Sequence, residues 1–405
     1  MKSGATIACF LGILLMLLAG CGARSIPQFE REHLFDLEIG KMENQLDLLL
    51  AQGLPYDAAT RVRMRDGIFY IANGNANKIM EFTSYGDLLG IVFDPDENPR
   101  PVSLQSPREG LAASRRAHSY PFLQTGAIAI TNDKTMLVED RLPPERSIFD
   151  DQLDVILNRI VLRFSPSGRV VDYIGQEGIG GTPFPFIHDI HVNRNDEIIV
   201  LSRTMTSWLV YWFSADGDAR FTVEIALDRL PIPGDETDVV AMLETVVPGF
   251  DHTELYLKLN YYRRSHDETT GARSGITMDP SRVYRLDLTT GRYEDFFEVP
   301  ANRRRVSTFN PFDREEIEFH YELIGVGPGR NLFFLSREMG NSAQLLIQNA
   351  SGRVVRRRTL TIEDDEIEYS AFSVSPEGIL VGLLAWHDVA RVVWWRTDRL
   401  IGSTS

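Results

Sequence analysis

Two imidazoles flank a carboxylate at His188-Asp189-Ile190-His191, a grouping of the kind that ligates metals or moves protons. On a strand, however, residues three apart project to opposite faces, so the two histidines cannot hold one ion without a bulge. Glu139 and Asn260, with Asn73, supply oxygen ligands of the type an axial calcium takes, but no local motif joins them. Arg203 and Arg337 carry planar guanidinium groups suited to bidentate capture of a carboxylate or phosphate. His188, His320 and His387 would act as donors beside them, with Glu139, Asp140, Asp189 and Asn260 completing a central polar pocket. The competing reading is that these groups pair with one another to satisfy a wet channel.

Other chemistry is poorly served. The Gly-rich run 175–181 lacks the Lys-Ser/Thr of a phosphate loop and enters a strand, not a helix. No Gly-x-Ser-x-Gly elbow occurs. The two cysteines are Cys9 and Cys21. No catalytic residue and no cofactor is therefore assigned, and an axial divalent ion serving a lactonase-like or other envelope hydrolase stands as the alternative.

The elements that would position these side chains recur. Asp66-Gly67 reads as a turn, Ile68 to Ala72 as a buried strand, Asn77 to Phe82 as an alternating strand, and Ser84-Tyr85-Gly86-Asp87 as a hairpin before Leu88 to Phe93. The pattern returns five times, through hairpins at Ser165-Pro166-Ser167-Gly168, Asp216-Gly217, Thr290-Gly291 and Ser351-Gly352, to a sixth copy ending near Thr397-Asp398 without an outer strand. Leu201-Ser202-Arg203-Thr204-Met205 and Leu335-Ser336-Arg337-Glu338-Met339 occupy equivalent places in copies three and five. The early strand around 35–39 can supply the missing strand and close a ring, which removes exposed sheet edges. The expected fold is all-β, one six-bladed β-propeller over residues 34–405.

The first copy, Asp66 to Asn73 followed by Asn77 to Phe82 and Gly86, resembles an NHL repeat. So does the joint Ile174 to Gly181 with Phe184-Pro185 and Ile190. At the N-terminus, Met1-Lys2 precedes an apolar run, Ala5 to Leu18, that ends in Leu18-Ala19-Gly20-Cys21 and resembles the lipobox of bacterial lipoproteins. That resemblance implies a signal peptide over 1–20, diacylglycerol on the Cys21 sulfur, acylation of the new N-terminus, and a lipidated tether over 21–33. Several acyl chains would anchor the protein to a membrane firmly, whereas one would not. Gly at 22 differs from the Asp of the inner-membrane retention signal, which favours the outer membrane. Together the features resemble NHL-type propeller lipoproteins of bacteria, spirochaetes among them, most of which have no assigned activity.

Loop lengths select a working face. Turns joining first to second and third to fourth strands are short, while insertions at 94–122, 140–158, 261–280 and 300–319 fall on the opposite face. The expectation is a cell-envelope binding or scaffold module holding a protein or polymer partner there. Acidic residues outnumber Lys plus Arg by 57 to 42, giving a net charge of −15 and excluding a broad grip on nucleic acid. Arg303-Arg304-Arg305 on the decorated face could meet anionic lipid or an acidic partner; Arg356-Arg357-Arg358 reads as a solvated outer-strand cluster paired with the acids at 363–366. Tyr211-Trp212 and Trp394-Trp395 should each turn one ring inward and one outward; core packing is the expected use, with an exposed Trp as partner anchor the alternative.

Overall fold

The computed structural model describes residues 27–48, 60–104, 116–234, 238–266, 273–307, 314–337, 342–362 and 367–401. The signal segment and Cys21 lie outside the described residues. Six antiparallel sheets follow one another along the chain. The inner strands, in order, are Arg61–Arg65, Ile128–Ile130, Phe186–Val192, Val239–Pro248, Glu322–Gly327 and Tyr369–Val374. Each begins a sheet of at least four strands; in the first four sheets these follow outward from the axis in sequence order, while the fifth and sixth take their outermost strand from the N-terminus.

The sixth sheet closes as expected. Its outer strand is Glu32–Glu38, antiparallel to Val389–Trp395, with Phe35 opposite Val392 and Leu37 opposite Ala390. Phe35 reaches across to the first blade, meeting Phe69 at 5.8 Å and Phe82 at 5.3 Å between ring centroids. Strand pairing starts earlier than the expected tether boundary. Gln28–Phe29 already runs parallel to Thr359–Leu360 on the outer edge of blade five.

Six buried clusters hold the described residues together, one at each junction between neighbouring blades. Blades three and four, for example, share Leu201, Trp208, Val210 and Trp212 with Leu255, Leu257 and Leu259. Because a blade is packed on both faces, its middle strands are buried along most of their length. Ser207–Phe213 is buried throughout, whereas the outer strand Ala219–Ala226 is largely exposed. The aromatic pairs pack in the core on opposite faces of their strands, as expected: Tyr211 and Trp212 are both buried, and Trp395 is fully buried with Trp394 half-buried.

The turns at the outer hairpins use glycine because it fits both the backbone and the neighbour. Gly86 lies at φ +83°, and a Cβ there would come within 2.7 Å of the Phe35 Cβ. Gly352, at φ +78°, leaves similar room for Phe297.

The two faces differ as loop lengths foretold. On the short-turn face, adjacent turns are tied together: Lys134 pairs with Asp66, the Asn132 N–H donates to Asp196 at 2.8 Å, and Arg194 meets Asp251 at 3.2 Å. The Gly329 N–H also donates to Asp251, at 2.8 Å. The insertion face instead carries hairpins. Ile148–Asp150 pairs with Val155–Leu157, Asn302–Ser307 with Arg314–Phe319, and Glu254–His266 with Arg273–Asp287 runs on well beyond its blade.

Candidate functional site

At the axis on the insertion face, one inner strand dominates the chemistry. Arg61-Val62-Arg63-Met64-Arg65 alternates, so Val62 and Met64 enter the core between blades six and one while the arginines take the other side. The Arg61 side chain hydrogen-bonds the Tyr369 hydroxyl, and its charge acts on Glu139, His188 and Asp189.

Glu139 is buried between two of these elements. It accepts the Ala127 N–H at 2.9 Å and lies 3.5 Å from Arg159. Gly126 makes the room, since a Cβ there would sit 2.2 Å from Glu139 Oε2. Burial pushes the Glu139 carboxyl up to about 7, against the pull of Arg159. Asp189 behaves oppositely. Burial would raise it, but Arg63, His191 and Arg61 together hold it below the usual carboxylate range. Arg63 Nη2 donates to both its oxygens, at 2.7 and 2.9 Å.

The His188-Asp189-Ile190-His191 strand is not regular. Its pairing with the next strand shifts between Ile187 and Asp189, so a bulge falls at His188. This removes the strict alternation that would send the two histidines apart. His188 packs edge-on against Trp208 at 4.7 Å, and His191 Nε2 lies 3.4 Å from Asp189. Burial lowers both imidazoles, His191 to about 4, so both are neutral near pH 7.

Of the residues singled out from sequence, Glu139, His188, Asp189 and Arg203 gather here, joined electrostatically through Arg61 and through Arg203 acting on His188. Arg203 is exposed at the end of its strand. Arg337 is exposed at the equivalent place two blades on, its guanidinium 5.7 Å from the Phe372 ring centre. Asp140 lies apart, accepting the N–H groups of Leu123 and Gln124 at 3.0 Å each. His320 is exposed beside the 302–319 hairpin, and His387 is exposed 3.7 Å from Glu368.

The oxygen set considered for an axial calcium is otherwise engaged. Asn260 donates to Glu244 at 2.7 Å and accepts from Lys258 at 3.1 Å and Ser281 at 2.6 Å. Asn73 grips the Asp47 backbone at 2.9 and 2.7 Å and also donates to Thr60. Each amide completes a buried internal network and so has little capacity for an ion. Among the described residues no group of three or more His, Cys, Asp or Glu side chains could hold a metal.

Below the cluster, a cavity of about 130 Å³ follows the axis toward the short-turn face. Arg63, Arg65, Asp189, His191 and Ser373 line it. Arg61, Arg63 and Arg65 were missed from sequence, although arginine at every second position directly before the Asp66-Gly67 turn was the available signal.

Part of the insertion face around this polar mouth is apolar. Ile148, Phe149 and Ile156 stand exposed on the 148–157 hairpin, with Leu123 in the connection before blade two and Met242 and Ile276 in blade four. Met205, in the turn after Arg203, is 90% exposed.

Six sheets in a ring, closed by an N-terminal strand and carrying polar side chains on the axis, define a six-bladed β-propeller. No family model matches the chain, and no curated protein matches it. Solved structures that match include a streptogramin B lyase, at 10% identity and TM-score 0.35, covering 89% of this chain and 99% of that one. A calcium-binding regucalcin from Agrobacterium tumefaciens matches at 9% identity and TM-score 0.36 over 90% of this chain and 95% of that one. A PL25 ulvan lyase matches at 10% and 0.39 over 89% and 95%.

Proposed function

We propose that this propeller is a membrane-tethered binding module of the bacterial cell envelope, holding a protein or polymer partner on its insertion-bearing face. The observation that carries the reading is the arc of exposed apolar side chains over blades two to four, Phe149, Ile156, Met205, Met242 and Ile276 among them, on the side of the charged axial mouth that bears insertions. Clustered exposed apolar surface with Met and aromatic side chains favours a protein partner. The likeness of Leu18 to Cys21 to a lipobox, and of the first blade to an NHL repeat, supports the envelope address and the anchor.

The test is photo-crosslinking in cells from probes at Phe149, Met205 and Arg203, with Ser167 and Ser351 on the short-turn face as controls. One specific protein captured from the first group and absent from the controls is expected. Equal capture from both groups, or none, would refute a partner on this face. Cys21→Ala should move the protein from the membrane to the soluble fraction.

A further inference from the structure

The fold brings together basic clusters that are far apart in sequence. Arg303 and Arg304 lie on the hairpin strand Asn302–Ser307, and Arg357 on the outer strand Val354–Thr361 of blade five. With Ala301, Asn302 and Gln344 they line one cavity of about 320 Å³. Arg357 of the second cluster is half-buried and lines this cavity, and the acids at 363–366 expected to pair with that cluster lie outside the described residues.

Two buried donors in this lining lack an acceptor. Gln344 is 1% exposed; its Oε1 accepts the Tyr321 hydroxyl, and its Nε2 has no hydrogen-bond partner. The Nε of Arg357 is also buried without one. A buried donor left unpaired costs about 1–3 kcal/mol, so such a pair marks a place where an acceptor belongs. Arg303 is partly compensated at the rim by Glu318, at 3.0 Å.

We propose that this cavity is a binding site for a phosphate group. The donors come from three strands, Asn302–Ser307, Ser342–Asn349 and Val354–Thr361, and so approach from separate directions. The tetrahedral oxygens of a phosphate meet that arrangement better than the two coplanar oxygens of a carboxylate. The phosphate can belong to a soluble monoester or to a lipid headgroup. The second source rests on the lipid-anchor reading above, and one observation links them: the chain enters the fold along the strand that carries Arg357, with Gln28 opposite Thr359. From Pro27 back to Cys21, six residues span at most roughly 22 Å.

The experiment uses the full-length protein in detergent. Calorimetric titration with inorganic phosphate and glycerol phosphate is compared with flotation of the Cys21→Ala chain, in which the anchor cannot form, on phosphatidylcholine vesicles with and without phosphatidic acid. Binding that weakens with salt is expected. Gln344→Glu keeps the side-chain shape and an acceptor for Tyr321 while placing a carboxylate among the guanidinium groups. It should abolish phosphate binding and leave the unfolding temperature unchanged or higher. Arg357→Gln, which adds no buried charge, should weaken binding roughly tenfold or more. Preference for phosphatidic acid vesicles without soluble binding assigns the lipid source, and soluble binding without vesicle preference assigns the other. If neither form binds, or if both variants bind as tightly as the natural chain, the proposal fails. Because partner capture uses other residues, that failure leaves the proposed function standing, and the converse holds.

Discussion

Glu139→Gln tests whether burial governs the axial cluster. The folded carboxyl holds its proton up to about 7, while an ordinary one releases it near 4.5. Between those values the folded chain binds more protons than the unfolded chain, so this group's contribution to stability falls as pH rises through the window. At about 1.4 kcal/mol per tenfold change in proton affinity, the full penalty above pH 7 is about 3 kcal/mol. Glutamine keeps the volume beside Gly126 and an acceptor for the Ala127 N–H, but cannot ionise. Urea denaturation of both proteins from pH 4 to 8 should therefore give curves that coincide at the acid end. They should separate to about 3 kcal/mol in favour of the variant at the alkaline end. Asp140, raised to about 6, and His191, lowered to about 4, also titrate in this range, in opposite senses. Both are common to the two proteins and cancel in the difference. A difference that stays constant with pH would refute the burial argument.

Asp189→Ala leaves Arg63 without its carboxylate and should cost about 3 kcal/mol, whereas the double change Arg63→Met with Asp189→Leu should lie closer to the natural protein; urea midpoints of both variants decide this. Phe35→Ala opens a cavity where the closing strand meets Phe69 and Phe82, and should cost about 3–5 kcal/mol, read as a lowered unfolding temperature. Asp251→Ala removes the carboxylate shared by Arg194 and the Gly329 N–H, linking turns of three successive blades. A loss of about 1–2 kcal/mol is expected, with faster amide exchange at Gly329 as the local signature.

The blades were legible because each repeat announces its turns. Asp66-Gly67, Gly86 and Gly352 mark hairpins by residue type alone, and the alternation at 35–39 marks the strand that closes the sixth blade. A period of two sends the rings of each aromatic pair to opposite faces, and both rings pack in the core because both faces of a blade are covered. At the axis, sequence found Glu139, His188, Asp189 and Arg203 but missed Arg61, Arg63 and Arg65. Their alternation was visible, yet its meaning depends on that strand being an inner one. The bulge at His188 left no mark in residue type, since it arises from the register against Ile198–Arg203.

Local features can be read from the residues alone: turn chemistry, strand periodicity, loop lengths and hence which face carries the insertions, and the lipobox-like residues ending at Cys21. Which distant side chains share a space depends on the closed ring. Arg63 meets Asp189 across 126 positions, and Arg304 shares a cavity with Arg357. Asn73 and Asn260, equally plausible ligands on paper, are consumed by backbone and lysine partners. The reason is physical. Closing a ring brings all six inner strands to one axis and folds hairpins over neighbouring blades, so charge pairing and burial there depend on ring geometry that no local pattern encodes.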